Sequence, residues 1–161
     1  MSNDFYKQSI IPCEGIIVKI CRAYTDTQED FEDYFQEVCL QIWKSKNNFR
    51  RQSTWSTWVY RLTLNVCLTL LKKKKKVQHV SDLPVVIDEN ENAFFSNESL
   101  NILYAAIKKL SEIDRAVILL YLEEKSYKEI AEITGATANN IGVRINRIKE
   151  RLKKLLDGKI N

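Results

Sequence analysis

Glycine and proline are scarce in this chain, with four glycines and two prolines among its 161 residues. Both residues break helices, and helical periodicity dominates wherever a period is readable, so their scarcity favours an all-α fold. No apolar run approaches the roughly 18 residues that a membrane-spanning helix needs, and no signal peptide is visible. The sequence therefore predicts a cytoplasmic protein without membrane insertion, and its 45% of hydrophobic residues is enough to build real cores.

Residues typical of a catalytic or metal site are also few. The only histidine is His79, which lies in a polar stretch where a solvated side chain is the simpler interpretation. The chain has no phosphate-binding glycine loop, no nucleophile motif and no cluster of metal ligands. The cysteines are widely spaced and lack a C-x-x-C pair, which favours reduced core cysteines over a redox or metal role. They are Cys13, Cys21, Cys39 and Cys67. We therefore expect no enzyme activity, no cofactor and no metal.

Acidic residues are absent from residues 44–76, a stretch that carries ten Lys or Arg residues. Such a one-sign segment repels itself unless a polyanion lies alongside it. Trp55, Trp58 and Tyr60 lie among the cations, and rings between basic residues suit stacking on exposed bases. Taken alone, the five lysines at 72–76 are more often a solvated, membrane-surface or calmodulin-type helix face, and the rings are more often core. Together they favour a surface for nucleic acid, including single strands.

The net charge of +4 conceals a strong segregation of charge along the chain. Residues 26–37 hold six acids and no base, and residues 77–99 hold five acids and no base. Residues 137–161 hold seven bases against two acids. Blocks of this kind indicate separate partners for separate segments rather than a uniformly basic coat.

The domain organisation follows from the place where helical periodicity fails. Residues 77–98 contain Pro84, several asparagines and a concentration of acids, which is typical of a linker. We therefore predict two small helical domains, residues 1–76 and 99–161, joined by an acidic linker.

Periodicity predicts three helices in the first domain. The first runs from about Pro12, a favoured first-turn residue, to Tyr24. The second carries acids on one side and an apolar face of Phe31, Tyr34, Phe35, Val38, Cys39, Ile42 and Trp43. The third is capped by Ser53 or Thr54 and reaches about Lys76. Its predicted apolar stripe is Trp55, Val59, Leu62, Val66 and Leu70, beside a ridge of Trp58, Arg61 and Asn65.

The second domain contains a pattern typical of a helix-turn-helix. Ser111 with Asp114, and Ser126 with Glu129, have the spacing of a capping box at the start of a helix. The helix that Ser126 would begin is short. Ala131 is small enough for two helices to cross closely, and Gly135 can take the left-handed conformation that ends a helix. Thr137 can then cap the next helix. The alternative is an ordinary amphipathic hairpin with a solvated basic face.

The last helix would bury one face and expose another. Its apolar residues are Ile141, Ile145, Ile148, Leu152 and Leu155. The residues pointing away are Asn139, Val143, Asn146 and Arg147, with Asn140 and Arg144 on the flanks. Asparagine suits adenine edges and arginine suits guanine edges, whereas Arg144, Lys149 and Arg151 suit phosphates. A duplex reader in the same chain strengthens the interpretation of the basic aromatic stretch as a second DNA surface.

These residues match the pattern of a known family. Residues 30–43 and 53–61, together with Phe49 and Asn65, resemble conserved region two of bacterial sigma factors. Residues 126–135 and the helix that follows resemble region four. With one helix before region two and no region three, the arrangement resembles the extracytoplasmic-function (ECF) class of the sigma-70 family. The two motifs in order are far more specific than either alone.

The resemblance implies a role for each surface of the first domain. The acidic helix would dock on the clamp helices of core RNA polymerase through Asp30, Glu32, Asp33, Gln36, Glu37 and Leu40. The following loop and helix would bind promoter DNA melted at the minus-ten element, with a pocket for a flipped base. The residues implied are Phe49, Arg50, Ser53, Trp55, Trp58, Arg61, Asn65, Lys72 and Lys73.

The resemblance also implies how the rest of the chain would act. The last helix would read the duplex of the minus-thirty-five element through Thr137, Asn139, Asn140, Val143, Arg144, Asn146, Arg147 and Lys149. The linker would thread through the polymerase toward the RNA exit path. An anti-sigma factor is a further partner implied by the family.

Three residues depart from the family pattern. Trp55 stands where the family usually has Phe, and Gly142 stands where Lys or Arg is common, at about 1 kcal/mol of helix propensity. Val143 is less polar than usual. We interpret Gly142 and Val143 as a closer backbone approach to DNA with apolar contact to thymine methyl groups.

Two rival functions remain open at the level of sequence. The first is a stand-alone helix-turn-helix regulator whose N-terminal half is a sensor or dimerisation domain. The second is a module that binds a protein or a membrane through its lysines, which leaves the helix-turn-helix unexplained.

Overall fold

The chain folds into two units, residues 1–91 and 92–161. The computed structural model describes residues 3–81 and 97–159. Within those ranges the regular structure is helical and contains no strand, which confirms the predicted all-α class. None of the helices in these ranges is long and apolar enough to cross a membrane.

The first unit begins with irregular helical turns that sequence periodicity did not predict. A single α-turn at Asn3–Phe5 leads into a π-turn at Tyr6–Ile10 and a 3-10 turn at Ile11–Cys13. Helix α1 then runs over Glu14–Ala23. The predicted start at Pro12 is therefore slightly early, because Pro12 lies in the 3-10 turn.

Helix α2, Gln28–Ser45, is capped as its sequence requires. The backbone N–H of Asp30 donates to the Thr27 hydroxyl over 3.0 Å. The predicted apolar face is largely correct, with Phe35 and Trp43 half-buried rather than buried. Its buried members are Phe31, Tyr34, Val38, Cys39 and Ile42. A 3-10 turn at Lys46–Asn48 follows, and then a loop.

Helix α3, Trp55–Ser81, is capped by Thr54, whose hydroxyl accepts from the backbone N–H of Thr57 over 3.2 Å. The helix extends past the predicted end at Lys76, so the first five residues of the predicted linker are helical. Residues 82–96 of that linker lie outside the described residues, and its last two residues, Asn97 and Glu98, are the N-cap and the first residue of the next helix.

The predicted apolar stripe of α3 is wrong in part. The buried residues of the helix are Thr57, Val59, Thr63, Leu64 and Cys67. Leu62, Val66 and Leu70 are only half-buried, and so is Trp55. Thr63 can be buried because its hydroxyl donates to the Val59 carbonyl over 2.7 Å, which satisfies the polar group within the helix.

The cysteines are buried free thiols, as the sequence indicated. The Sγ atoms of Cys21 in α1 and Cys67 in α3 lie 3.9 Å apart. Burial raises the pKa of the Cys39 thiol to about 11. The Cys39 thiol is therefore neutral at physiological pH, and all four buried cysteines pack as small apolar side chains.

Four helices lie in the described part of the second unit, residues 97–159. They are α4 at Glu98–Ile107, α5 at Glu112–Leu122, α6 at Tyr127–Thr134 and α7 at Ala138–Leu156. Asn97 caps α4, and the predicted capping residues Ser111 and Ser126 cap α5 and α6. Thr137 stands at the predicted N-cap position of α7, but its side chain makes no capping hydrogen bond.

The core of the second unit joins α4, α5, α6 and α7. Ile141, Ile145, Ile148 and Leu152 are buried as predicted, whereas Leu155 is half-buried. The same core contains a fully buried, apolar stretch of α5, Ala116–Leu120. Helix α7 is therefore held by its inner face, and its outer face is left to solvent.

Helix α5 ends in a strained residue. Glu124 has a φ of 62°, in the left-handed region that glycine usually occupies. The backbone N–H of Lys125 donates to the Leu120 carbonyl (3.1 Å), and that of Glu124 donates to the Tyr121 carbonyl (3.0 Å). This is the Schellman pattern, in which the left-handed position is usually glycine.

Replacing Glu124 with Gly should stabilise the second unit by about 0.5–1 kcal/mol, because glycine has no Cβ to oppose the left-handed conformation. Chemical denaturation followed by circular dichroism would measure the change. Glu124→Ala is the matched control, since it removes the carboxylate but keeps the Cβ. A gain in the Ala variant equal to that in the Gly variant would show that the charge, not the backbone, is responsible.

Candidate nucleic-acid interface

An aromatic cluster organises the loop between α2 and α3. The rings of Trp55 and Trp58 are stacked, with centroids 5.0 Å apart and planes 28° apart. Phe49 packs edge-on against Trp55 at 5.3 Å and lies 5.7 Å from Trp58. The structure thus brings together three of the residues that the sequence assigned to the minus-ten element.

Residues near the N-terminus contact Trp55 and hold it in place. Its indole N–H donates to the Ser9 carbonyl over 2.8 Å. Phe5 packs edge-on against both Trp43, at 5.2 Å, and Trp55, at 6.2 Å. Sequence reasoning missed Phe5 and Ser9, because no local pattern links them to a loop more than 40 residues away.

A groove of about 530 Å³ lies between α2 and α3. Its lining includes three half-buried apolar side chains of α3, Leu62, Val66 and Leu70, together with polar side chains. Trp58, Arg61, Asn65 and Lys73 line it from α3, and Glu37 and Gln41 line it from α2. Asn65 is exposed, as a residue that touches a base must be.

The other predicted minus-ten residues lie outside this groove. Arg50 and Lys72 are exposed and Ser53 is half-buried. The Ser53 hydroxyl donates to the Thr54 carbonyl over 3.3 Å. The two exposed cations suit contacts with the phosphate backbone rather than with bases.

The residues of α2 predicted to bind polymerase differ in exposure and in their contacts within the protein. Glu32, Asp33, Gln36 and Leu40 are exposed, which suits docking on another protein. Glu37 accepts a hydrogen bond from the Gln41 amide over 2.8 Å. Asp30 forms an ion pair with Lys74, which joins α2 to the lysine run of α3.

The helix-turn-helix has the predicted geometry at its turn. Gly135 ends α6 at a φ of 80°, and its N–H donates to the Ala131 carbonyl over 2.8 Å. The outer face of α7 is open, and Val143 is 53% exposed. The other exposed residues of that predicted face are Thr137, Asn139, Asn140, Asn146 and Arg147.

Two predicted DNA contacts on α7 are engaged within the protein. Arg144 Nη1 lies 2.8 Å from Asp114 Oδ1. Lys149 Nζ donates to the Tyr121 hydroxyl over 2.6 Å and lies 4.4 Å from the centre of that ring. These cations attach α7 to α5, and each keeps further N–H donors that could contact a phosphate.

Gly142 is explained by a protein neighbour. A Cβ at this position would lie 3.2 Å from Cε2 of Tyr127, at the start of α6. The glycine therefore makes room for an aromatic ring between the two helices of the motif. The predicted close approach of this backbone to DNA stays a prediction beside this packing reason for the glycine.

Comparisons with known proteins agree with this architecture. Residues 13–77 match the sigma-70 region 2 family and residues 100–152 match the sigma-70 region 4 family. The ECF RNA polymerase sigma factor SigW of Bacillus subtilis is 29% identical over 95% of this chain and 86% of its own length. The ECF RNA polymerase sigma-E factor of Escherichia coli is 28% identical over 76% of this chain and 72% of its own length.

The chain belongs to the ECF class of the sigma-70 family. Members of this family are non-enzymatic initiation factors that direct RNA polymerase to promoters. Every residue predicted to bind the minus-ten element or polymerase lies within the region 2 match. The residues of α7 predicted to bind the minus-thirty-five element, together with Thr137, lie within the region 4 match. Phe5 and Ser9 precede the region 2 match.

Solved structures share the fold of this sigma factor. RpoE of Bartonella quintana, in complex with the anti-sigma factor NepR, superposes with a TM-score of 0.78 at 21% identity and covers 98% of this chain and 99% of its own. CnrH, in complex with the cytosolic domain of CnrY, gives 0.69 at 18% identity, over 98% of this chain and 91% of its own. The part of the chain that the structure describes holds no cluster of three or more potential metal ligands.

Proposed function

We propose that this sigma factor holds a promoter at two places and holds polymerase at a third. The exposed acidic residues of α2 dock on core RNA polymerase. The loop and groove beside α3 take the melted strand of the minus-ten element, and the outer face of α7 reads the minus-thirty-five duplex. The observation that carries the proposal is the groove, whose wall places a ring, a guanidinium and an amide (Trp58, Arg61 and Asn65) side by side.

The chemistry of that wall suits unpaired bases. Extruding a base from a duplex costs a few kcal/mol, and stacking on an aromatic ring contributes about 1–3 kcal/mol per base. An amide can discriminate between bases by hydrogen bonding, and a guanidinium can hold a phosphate or stack on a ring. This work is binding rather than covalent chemistry, so we propose that the chain has no enzyme activity and needs no cofactor.

The domain bounds, the linker and a further partner complete the proposal. We place the functional domains at residues 1–76 and 99–161, with the acidic linker between them running along the polymerase. RpoE and CnrH were solved with anti-sigma factors, and we propose that a protein of that kind restrains this sigma factor in the cytoplasm.

A transcription assay tests the proposal against a stand-alone regulator. Core RNA polymerase would be mixed with the purified protein and a promoter library, and run-off transcripts would be sequenced. We expect promoter-specific transcripts only when the protein is present. Tight binding to a duplex by the protein alone, without any such transcripts, would favour the regulator.

A further inference from the structure

The N-terminal turns of the first unit pack against the loop that faces DNA. Phe5 and Ser9 lie in these turns, upstream of the region 2 match. Both contact Trp55, the first residue of α3. A segment outside the matched region therefore touches the part of the molecule that must recognise a flipped base.

The contacts form a continuous chain from the N-terminal turns to the groove. The Ser9 carbonyl accepts the indole N–H of Trp55, and the edge of Phe5 packs on the same residue. Trp55 then stacks on Trp58, which lines the groove. Because stacked rings move together, fixing Trp55 also fixes the face that Trp58 presents.

The start of the loop, where α2 ends, is also held by contacts with the Phe5 ring. Lys46 Nζ lies 3.3 Å from the centre of Trp43 and 5.6 Å from the centre of Phe5. Phe5 in turn packs on Trp43 at the end of α2. Between these anchors the backbone of Arg51 takes a φ of 58°, which residues other than glycine rarely adopt. A loop in such a conformation needs support from its surroundings.

We propose that Phe5 and the Ser9 carbonyl are positioning groups for the base pocket of the minus-ten element. They touch neither DNA nor polymerase. They hold Trp55, and through it Trp58 and Phe49, in the arrangement that accepts an extruded base before DNA arrives. The inference rests on the proposed function, because it concerns the same pocket.

Three variants and a control test the role of these contacts in the reconstituted holoenzyme. Phe5→Ala removes the ring, Phe5→Leu keeps an apolar side chain, and Trp55→Phe keeps a ring but loses the hydrogen bond to Ser9. Gln8→Ala changes an exposed residue of the same segment and serves as the control. The probes are single-stranded minus-ten oligonucleotides, intact or made abasic at each position in turn, and a duplex minus-thirty-five fragment.

Phe5→Ala should bind the intact oligonucleotide about tenfold more weakly, since two edge-on aromatic contacts are lost. It should also lose the preference for an intact base over an abasic site at the flipped position. Phe5→Leu should recover part of both effects, and Trp55→Phe should show a smaller loss than Phe5→Ala. Gln8→Ala should match the wild type, and affinity for core polymerase and for the duplex fragment should stay unchanged throughout.

The abasic comparison separates positioning from folding. If Phe5→Ala keeps the wild-type preference for an intact base, the inference is overturned. It is also overturned if polymerase affinity falls as much as strand affinity, because the ring then only supports the fold. Failure of the proposed function is distinguishable, since the wild-type holoenzyme itself would then show no preference for the minus-ten strand.

Discussion

Asn65→Ala should reduce open-complex formation by about tenfold to a hundredfold, because a well-placed pair of hydrogen bonds to one base contributes about 1–3 kcal/mol. Asn65 is exposed on the groove wall beside Trp58 and Arg61, so its amide is placed to meet an unpaired base. It makes no contribution to the buried core, and the fold should survive the change. Permanganate reactivity of thymines in the promoter would measure melting.

The control for Asn65→Ala is a second polar residue of the same groove. Thr69 is exposed and lies one helical turn further along α3. Thr69→Ala should melt promoters nearly as well as the wild type, and both variants should bind core polymerase normally. Normal melting by Asn65→Ala would remove the flipped-base pocket from the proposed mechanism.

Arg147→Ala should lower discrimination between native and scrambled minus-thirty-five elements by about 1–3 kcal/mol. Arg147 is exposed on the outer face of α7, where its guanidinium can reach a base edge. Competition binding with native and scrambled duplexes, at one stated salt concentration, would measure the difference. The variant should weaken binding to the native element much more than to the scrambled one.

Lys149→Ala provides the comparison on the same helix. Lys149 is engaged with Tyr121, so its loss should weaken the attachment of α7 to α5 or affect all DNA sequences alike. It should not change discrimination between the two elements. An equal loss on native and scrambled DNA in Arg147→Ala would assign Arg147 to the phosphate backbone instead.

The features that the sequence predicted are mostly local. The capping serines of α5 and α6, the left-handed Gly135 and the apolar face of α7 each depend on residues within a few positions of one another. Such patterns can be predicted from the sequence, because the position of a cap or of a helix face follows from the spacing of residues along the backbone.

The features that the sequence did not predict depend on contacts between distant segments. The predicted apolar stripe of α3 is wrong in part because Thr63 and Cys67 are small enough to pack in the core. The larger Leu62, Val66 and Leu70 that the pattern places there are only half-buried. Phe5 meets Trp55 across 50 residues, and Gly142 is explained only by Tyr127 on the preceding helix. Periodicity carries no information about such pairs.

The ion pair between Asp30 and Lys74 has a consequence for the thermodynamics of promoter binding. Each lysine that neutralises a phosphate releases a condensed counterion, which makes affinity fall with rising salt concentration. Lys74 already pairs with a carboxylate of its own chain, so we expect the five-lysine run to act on DNA as a cation of lower effective charge. The affinity should then fall less steeply with rising salt concentration than five free lysines would predict.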